Sequence, residues 1–168
     1  MSKPSTRWKT PITTEAAISV ASNLTIADQR ECVEGWGLDN VLDIAMSAVT
    51  SDSFYFETPD GKTAAMGGVE PDGRIWMLST PIIKECSSTF ARETKRFVDN
   101  RTEKLLWNIV DKRNTTHIKL LRFLGFTFLR EVLHGPNYLP FLEFCKIPCV
   151  LNQTPSREQK EPLGQTSL

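Results

Sequence analysis

The sequence predicts an α/β (α+β) domain whose sheet is mostly antiparallel but holds one parallel pair of strands. Three observations carry this. The strand-like runs "SFYFET", "KTAAMGGV" and "IWMLS" are separated by "PDG" and "EPDGR", which makes a three-strand meander with two Pro-Asp-Gly reversals. Strand, helix and strand then follow one another from Ile75 to Val110, and a long helical connection between strands implies that they lie parallel. Helical spacing dominates before the meander, from Thr13 to Val49.

Taken in order, residues 1–12 are polar and broken by proline, which predicts an N-terminal arm with one short edge strand around Arg7 to Thr10. In "TEAAISVASNL", Ala17, Ile18, Ala21 and Leu24 share a face. "TIAD", from Thr25, reads as a capping box with Asp28 in place of the usual Glu, opening a helix that "GWG" ends. "DNVLDIAMSAV" is a third helix, with Val41, Leu42, Ala45 and Val49 on a common face. Gly67 and Gly68, inside the second meander strand, predict a bulge or a close backbone approach.

Thr80 and Pro81 read as a helix start, a hydroxyl N-cap followed by proline at the first helical position. Ile83, Cys86, Phe90, Thr94 and Phe97 recur behind it at helical spacing, and "LLWNIV" (Leu105 to Val110) is the next strand. In "NTTHIKLLRFLGFTFL", Asn114 or Thr115 caps a helix with Ile118, Leu121 and Leu124 inward, and Gly125 ends it in the left-handed conformation. "FTFLREV" and "YLPFLEFCKI" are the last strands, joined by "HGPN", with the second expected at an edge because of Pro140. Residues 13–146 are thus the domain. Residues 147–168 hold too little apolar material to order themselves and are expected to be a disordered tail.

The bulk properties narrow the function. At 168 residues the chain suits one domain with a real core. Twenty basic residues balance twenty acidic ones, so charge gives no case for nucleic acid or an anionic membrane as a partner. No apolar run reaches the roughly 18 residues that span a bilayer, and "MSKPSTRWKT" lacks the apolar core of a signal peptide, so a cytoplasmic protein is expected. Cys32, Cys86, Cys145 and Cys149 follow no CxxC spacing and only two histidines exist, so reduced thiols and no metal are expected.

The segment order, with Asn114 and the Leu124-Gly125-Phe126 helix end, resembles the GNAT superfamily of acyl-CoA-dependent N-acyltransferases from roughly Ala17 to Lys146. The resemblance implies a GNAT-like mixed, mostly antiparallel twisted sheet with one central parallel strand pair, flanked by helices on both faces. It further implies that "IWMLS" splays from "LLWNIV", with the pantetheine arm of acetyl-CoA in the gap and the pyrophosphate on the following helix. On that reading Leu78, Ser79, Thr80, Lys84 and Asn114 bind the cofactor, and an amine on a small molecule or protein accepts the acetyl group. "SVASNLTIADQREC", "AMGGV", "IWMLST" and "LLWNIVDKRNTTHIKLLRFLGF" resemble more closely the acetyltransferase-like internal virion protein A family of short-tailed bacteriophages. That likeness implies a phage source, phage virion proteins as partners, and residence in the host cytoplasm or the virion.

Two features depart from the GNAT pattern. "STPIIKECSSTFARETK" carries no glycine where such enzymes have a Gly-rich loop around the pyrophosphate, and Leu121 stands where many relatives carry a tyrosine that protonates the leaving thiolate. Ser79, Ser87 and Cys86 are candidate replacements for that acid. Glu70, Asp111, His117 or a backbone-held water chain are candidate bases, so no catalytic residue is assigned. Trp76 and Trp107 either pack in the core or line a substrate groove. Two readings stay open: an acetyltransferase, or a catalytically degenerate GNAT scaffold used in virion assembly or host interaction.

Overall fold

The computed structural model describes residues 8–50 and 52–148; the earlier part of the arm and the tail from Cys149 lie outside the described residues. Local chemistry starts three of the helices. Thr13, Thr25 and Asn114 each accept, through a side-chain oxygen, the N–H three residues ahead: Ala16 at 3.1 Å, Asp28 at 3.2 Å and His117 at 3.2 Å. These caps open α1 (Thr14–Ser22), α2 (Ile26–Arg30) and α5 (Thr115–Phe123), each contributing about 1 kcal/mol. α2 runs on into a π-helical turn, Glu31–Gly35. The remaining elements are β1 (Trp8–Lys9), α3 (Val41–Thr50), β2 (Ser53–Glu57), β3 (Thr63–Val69), β4 (Ile75–Ser79), α4 (Ser87–Asp99), β5 (Leu106–Asp111), β6 (Thr127–His134) and β7 (Leu139–Lys146).

The strands form two antiparallel sheets, β1-β2-β3-β4 and β5-β7-β6. The expected parallel pair is reduced to one bridge, Arg74 with Trp107, where the sheets touch. α1 and α3 cover one face of the first sheet, where Ala17, Val20, Ile44, Ala45 and Met66 cluster. α4 covers the other through Phe90, against Phe56 and Ala65. Val98 of α4 and Ile118 and Leu121 of α5 pack on Leu106, Val110 and Phe144 of the second sheet. Helices therefore flank both faces, as expected. Among the described residues no helix is long and apolar enough to cross a membrane.

Several expectations are corrected. α1 buries Ala16, Ala17, Val20 and Ala21 and leaves Ile18 exposed; α3 buries Ile44, Ala45 and Ala48 and leaves Val41 and Leu42 exposed. Alanine-rich faces let these helices lie close to the sheet and to each other, which larger side chains would prevent. β7 is the centre of its sheet rather than an edge. Pro140 is tolerated because the β5 ladder ends at Asp111 with Phe141, and beyond it only the Pro140 carbonyl is needed, as acceptor for Lys112 N–H at 3.1 Å.

Thr80 and Pro81 do start a helical turn, with Thr80 at its N-cap position, but the Thr80 hydroxyl makes no capping bond. The Thr80 N–H remains in the β3 ladder, donating to Ala64 at 2.9 Å, and the hydroxyl is 3.2 Å from the Thr63 and Ala64 carbonyls. A 3-10 turn, Pro81–Glu85, follows, and α4 begins only at Ser87. At Gly67 and Gly68 the structure has the close approach rather than a bulge: a Cβ would lie 2.8 Å from the Trp76 and Asp52 carbonyl oxygens respectively. The strand does carry a register irregularity, but at Ala64: Phe56 pairs with Ala65 and Glu57 with Thr63, so the extra residue lies in β3.

Candidate active site

β4 and β5 meet at one end and diverge. At the meeting point Trp107 N–H donates to the Gly73 carbonyl (3.1 Å), the Trp107 indole N–H to the Asp72 carbonyl (3.2 Å), and Asn108 Nδ2 to the Ile75 carbonyl (2.8 Å). Beyond that point no ladder joins these strands among the described residues. Backbone groups alternate along a strand, so with Thr80 bonded to Ala64 the edges of Trp76, Leu78 and Thr80 face β3, and those of Ile75, Met77 and Ser79 face the wedge. Ile75 is used by Asn108. Ser79 N–H donates to Asp28 Oδ2 (2.8 Å), and the Ser79 carbonyl accepts from Thr25 N–H (2.9 Å). Met77 is left with its N–H and C=O directed into the opening.

A cavity of about 310 Å³ occupies the wedge. Phe97, Leu120 and Leu121 line it on the α4–α5 side, and Glu31, Cys32 and Trp36 on the side of the π-helical turn. Such turns interrupt helices where a side chain must be re-aimed, often at functional sites. Here the turn brings Glu31 to the wide end of the wedge.

A network of acids spans that wide end. Buried Asp28 accepts from Ser79 N–H, Ser79 Oγ (2.7 Å) and Asn114 Nδ2 (3.0 Å), so it ties α2 to β4 and to the start of α5. One turn on, Glu31 Oε2 accepts from Asp111 N–H (3.3 Å) and sits 3.4 Å from Asn114 Nδ2. Glu31 Oε1 has no hydrogen-bond partner among the described residues, and Glu31 lines the cavity. Burial first, and then the negative charge of Asp28, push the Glu31 carboxyl up to about 7, against the pull of Asn114 and the Asp111 N–H. That value suits a group exchanging protons near neutral pH.

The residues expected from the sequence fall in different places. Leu78 lines the cavity with its side chain. Ser79 and Asn114 are brought together through Asp28, but neither lines the cavity. Thr80 is buried against β3, and Lys84 is exposed on the 3-10 turn. Of the candidate acids, Ser79 Oγ is committed to Asp28, while Cys86 and Ser87 flank the break before α4.

Among the candidate bases, Asp111 is buried, yet the Arg113 guanidinium (2.7 Å) and the Arg113 N–H (2.9 Å) overcome burial and hold it below the usual carboxylate range. It is an ion-pair partner rather than a base. His117 lines the cavity with its imidazole held below its ordinary range by burial, the Asp28 charge opposing. Glu70 lines the rim, its backbone closing the β3–β4 turn with Gly73 and Arg74. Trp76 lines the cavity, whereas Trp107 bonds the turn at the apex.

Sequence reasoning missed Asp28 and Glu31. The signal was the capping box itself. Asp is one methylene shorter than the usual Glu and reaches back poorly, which frees it for another partner, and Glu31 follows at helical spacing on the same face. Cys32 shares the setting: burial, then Asp28 and Glu31, push its thiol up to about 12. Native protein at pH 8 is therefore expected to leave Cys32 unmodified by iodoacetamide while urea-unfolded protein is modified there, read by peptide mass spectrometry. Native labelling of Cys32 at the rate of a free thiol would contradict this environment.

No protein-family model matches the chain, and no curated protein matches it in sequence. Solved structures do match. An acetyltransferase of the GNAT family from Bacillus anthracis superposes with a TM-score of 0.61 at 11% identity, over 82% of this chain and 92% of that one. The ribosomal-protein-S18-alanine N-acetyltransferase of Escherichia coli gives 0.61 at 14%, over 88% and 96%. The fold is that of the GNAT acetyltransferases. The spermidine N-acetyltransferase of Vibrio cholerae, solved with CoA and spermine, gives 0.59 at 10%, over 84% and 96%. At such identities the GNAT likeness carries architecture, and the chemistry has to be argued from this chain's own side chains.

Proposed function

We propose that the protein is an acyl-CoA-dependent N-acyltransferase that moves an acetyl group from acetyl-CoA to an amine. The observation that carries this is the open wedge, in which Met77 offers an unpaired N–H and C=O beside an apolar cavity. An extended amide chain can add to such an edge as a further strand would. Leu78 and Leu121 would flank the arm of the cofactor. Lys84 and the first N–H groups of α4, at Ser87 and Ser88, would meet its phosphates. Ser79, Thr80 and Asn114 would act at one remove, by holding the strand edge and Asp28.

When bound, acetyl-CoA would supply an activated acyl carbon whose carbon–sulfur bond breaks as the amine nitrogen bonds to it, and the second proton that nitrogen loses would balance, through water, the one the thiolate takes up. Glu31 Oε1 accepts the proton lost by the ammonium group. Asp111 N–H and Asn114 orient Glu31 through Oε2, and Asp28 keeps it basic. Met77 N–H can donate to charge developing on oxygen. The likeness to the internal virion protein A family supports a phage-encoded enzyme working in the host cytoplasm, with virion proteins among its candidate acceptors.

Leu121, buried at the position of the general acid, favours a second reading in which the GNAT scaffold has lost catalysis and serves virion assembly or host interaction. Calorimetric titration with acetyl-CoA separates the two. Binding and a raised melting temperature are expected, and saturating acetyl-CoA without either effect would overturn the enzymatic reading. Met77→Pro removes the N–H that faces the wedge and no N–H of the β3 ladder, together with the Met77 side chain, for which Met77→Leu is the control; the proline variant is expected to abolish the acetyl-CoA shift and the leucine variant to retain it. Binding unchanged in a folded Met77→Pro protein would remove Met77 from the site.

A further inference from the structure

We infer that the acceptor is a monoamine whose nitrogen sits on an aromatic or aliphatic body, not a polyamine or a polycationic sugar. This rests on the acyltransferase reading above and follows from the wall of the cavity on the side of the π-helical turn. There Trp36, Leu38, Ile44, Trp76 and Leu78 surround the approach to Glu31, and Glu31 brings the carboxylate with a free oxygen. Of the other acids nearby, Asp28 is saturated by Ser79 and Asn114, and Asp111 and Glu34 both pair with Arg113. Glu70 also lines the cavity, but at the opposite, narrow end, where its backbone is bonded to that of Arg74, a cation lining the same end.

One ammonium group can therefore be matched, by one carboxylate at the inner end of an apolar passage. A second or third ammonium would be desolvated against indole and aliphatic carbon with no counter-charge, a cost that excludes polycations. The remainder of the acceptor gains by being apolar, because Trp36 and Trp76 offer large flat surfaces to cover. One face of Trp36 is already taken by His134, with ring centroids 4.3 Å apart, which fixes the indole as a wall. Trp36 remains 37% exposed, so it forms the outer lip of the passage.

The same chemistry is presented by a free arylalkylamine and by a polypeptide whose first residue is apolar. Full-length protein would be titrated, without cofactor, with phenethylamine, with a short peptide beginning in phenylalanine, and with spermidine, following tryptophan emission. Product formation with acetyl-CoA would then be read by mass spectrometry. Phenethylamine, the phenylalanine peptide or both are expected to bind at least about ten-fold more tightly than spermidine, and Trp36→Ala to weaken that binding by about ten-fold. A peptide preferred over phenethylamine identifies a polypeptide N-terminus as the source, and the reverse identifies a small molecule.

Spermidine binding as tightly as the apolar amines overturns the inference, as does binding unaffected by Trp36→Ala. If acetyl-CoA binds and none of the three amines does, the acceptor inference fails while the cofactor reading stands. If apolar amines bind and acetyl-CoA does not, the transfer reaction fails and the apolar amine pocket remains.

Discussion

Glu31→Gln is expected to lower kcat/KM for acetyl transfer by roughly a hundred- to ten-thousand-fold and, at pH 8, to make the protein more stable. Glutamine keeps the size of the side chain and an oxygen for Asp111 N–H, but it cannot take a proton from an amine. In the native protein the carboxyl titrates at about 7 rather than its ordinary 4.5, so kcat/KM should rise with pH through that value and lose this limb in the variant. The groups facing it are Asp28, Asp111 with its partner Arg113, Cys32 and His117; the charge of Asp28, and to a smaller degree that of Asp111, disfavours its own.

The sign of the stability effect follows from linkage. A folded-state pKa above the unfolded one means that the native state holds the proton more tightly. The stabilisation is fully present below about 4.5 and is lost as pH rises through 7. A shift of this size corresponds to at most roughly 3 kcal/mol, so Glu31→Gln should gain up to that amount at pH 8 and almost nothing at pH 4. Urea denaturation at the two pH values measures it. An acid retained only for structure would lose stability on substitution, so a destabilised variant with an unchanged pH–rate profile would remove Glu31 from the chemistry.

What the sequence made legible is what depends on near neighbours. The caps at Thr25 and Asn114 act across three residues, Gly125 ends α5 at φ 86°, and the Pro-Asp-Gly turns reverse the chain where they stand. What it concealed is set by distant partners. Asp28 meets Ser79 across 51 positions and Glu31 meets Asp111 across 80, so the short Asp in the capping box hints that it is free for another partner, while no local pattern says which partner that is. Helix faces failed for a related reason. α1 and α3 carry apolar residues on more than one side, and the sheet they pack on selects the alanine face. Thr80 shows the limit of a strong local signal: Thr-Pro does begin a turn, yet the hydroxyl is claimed by β3 because the strand has not ended. The splay of β4 from β5 was legible through family likeness alone, since spacing shows only that a helix intervenes.

The second large effect is expected at the apex of the wedge. Gly73→Ala should destabilise the protein by about 3 kcal/mol or more, against about 1 kcal/mol for Gly61→Ala. Both glycines have positive φ, +88° and +81°, so alanine carries a similar backbone penalty at each. The surroundings differ. A Cβ at Gly61 meets nothing within 4 Å, whereas at Gly73 it would lie 1.9 Å from the Leu105 carbonyl oxygen. That oxygen belongs to the backbone entering β5, so relief requires β5 to move away. Moving it breaks the Trp107 N–H bond to Gly73 and the Asn108 bond to Ile75, which join the two sheets at the point where they diverge. The wedge would then lose the fixed corner that sets the distance between Met77 and Glu31. Acetyl-CoA binding should therefore weaken in Gly73→Ala even at temperatures where the protein remains folded, and stay unchanged in Gly61→Ala. Subtracting the Gly61→Ala effect from that of Gly73→Ala isolates the clash from the backbone term, and equal losses in the two variants would mean that the corner at Gly73 does not hold the wedge open.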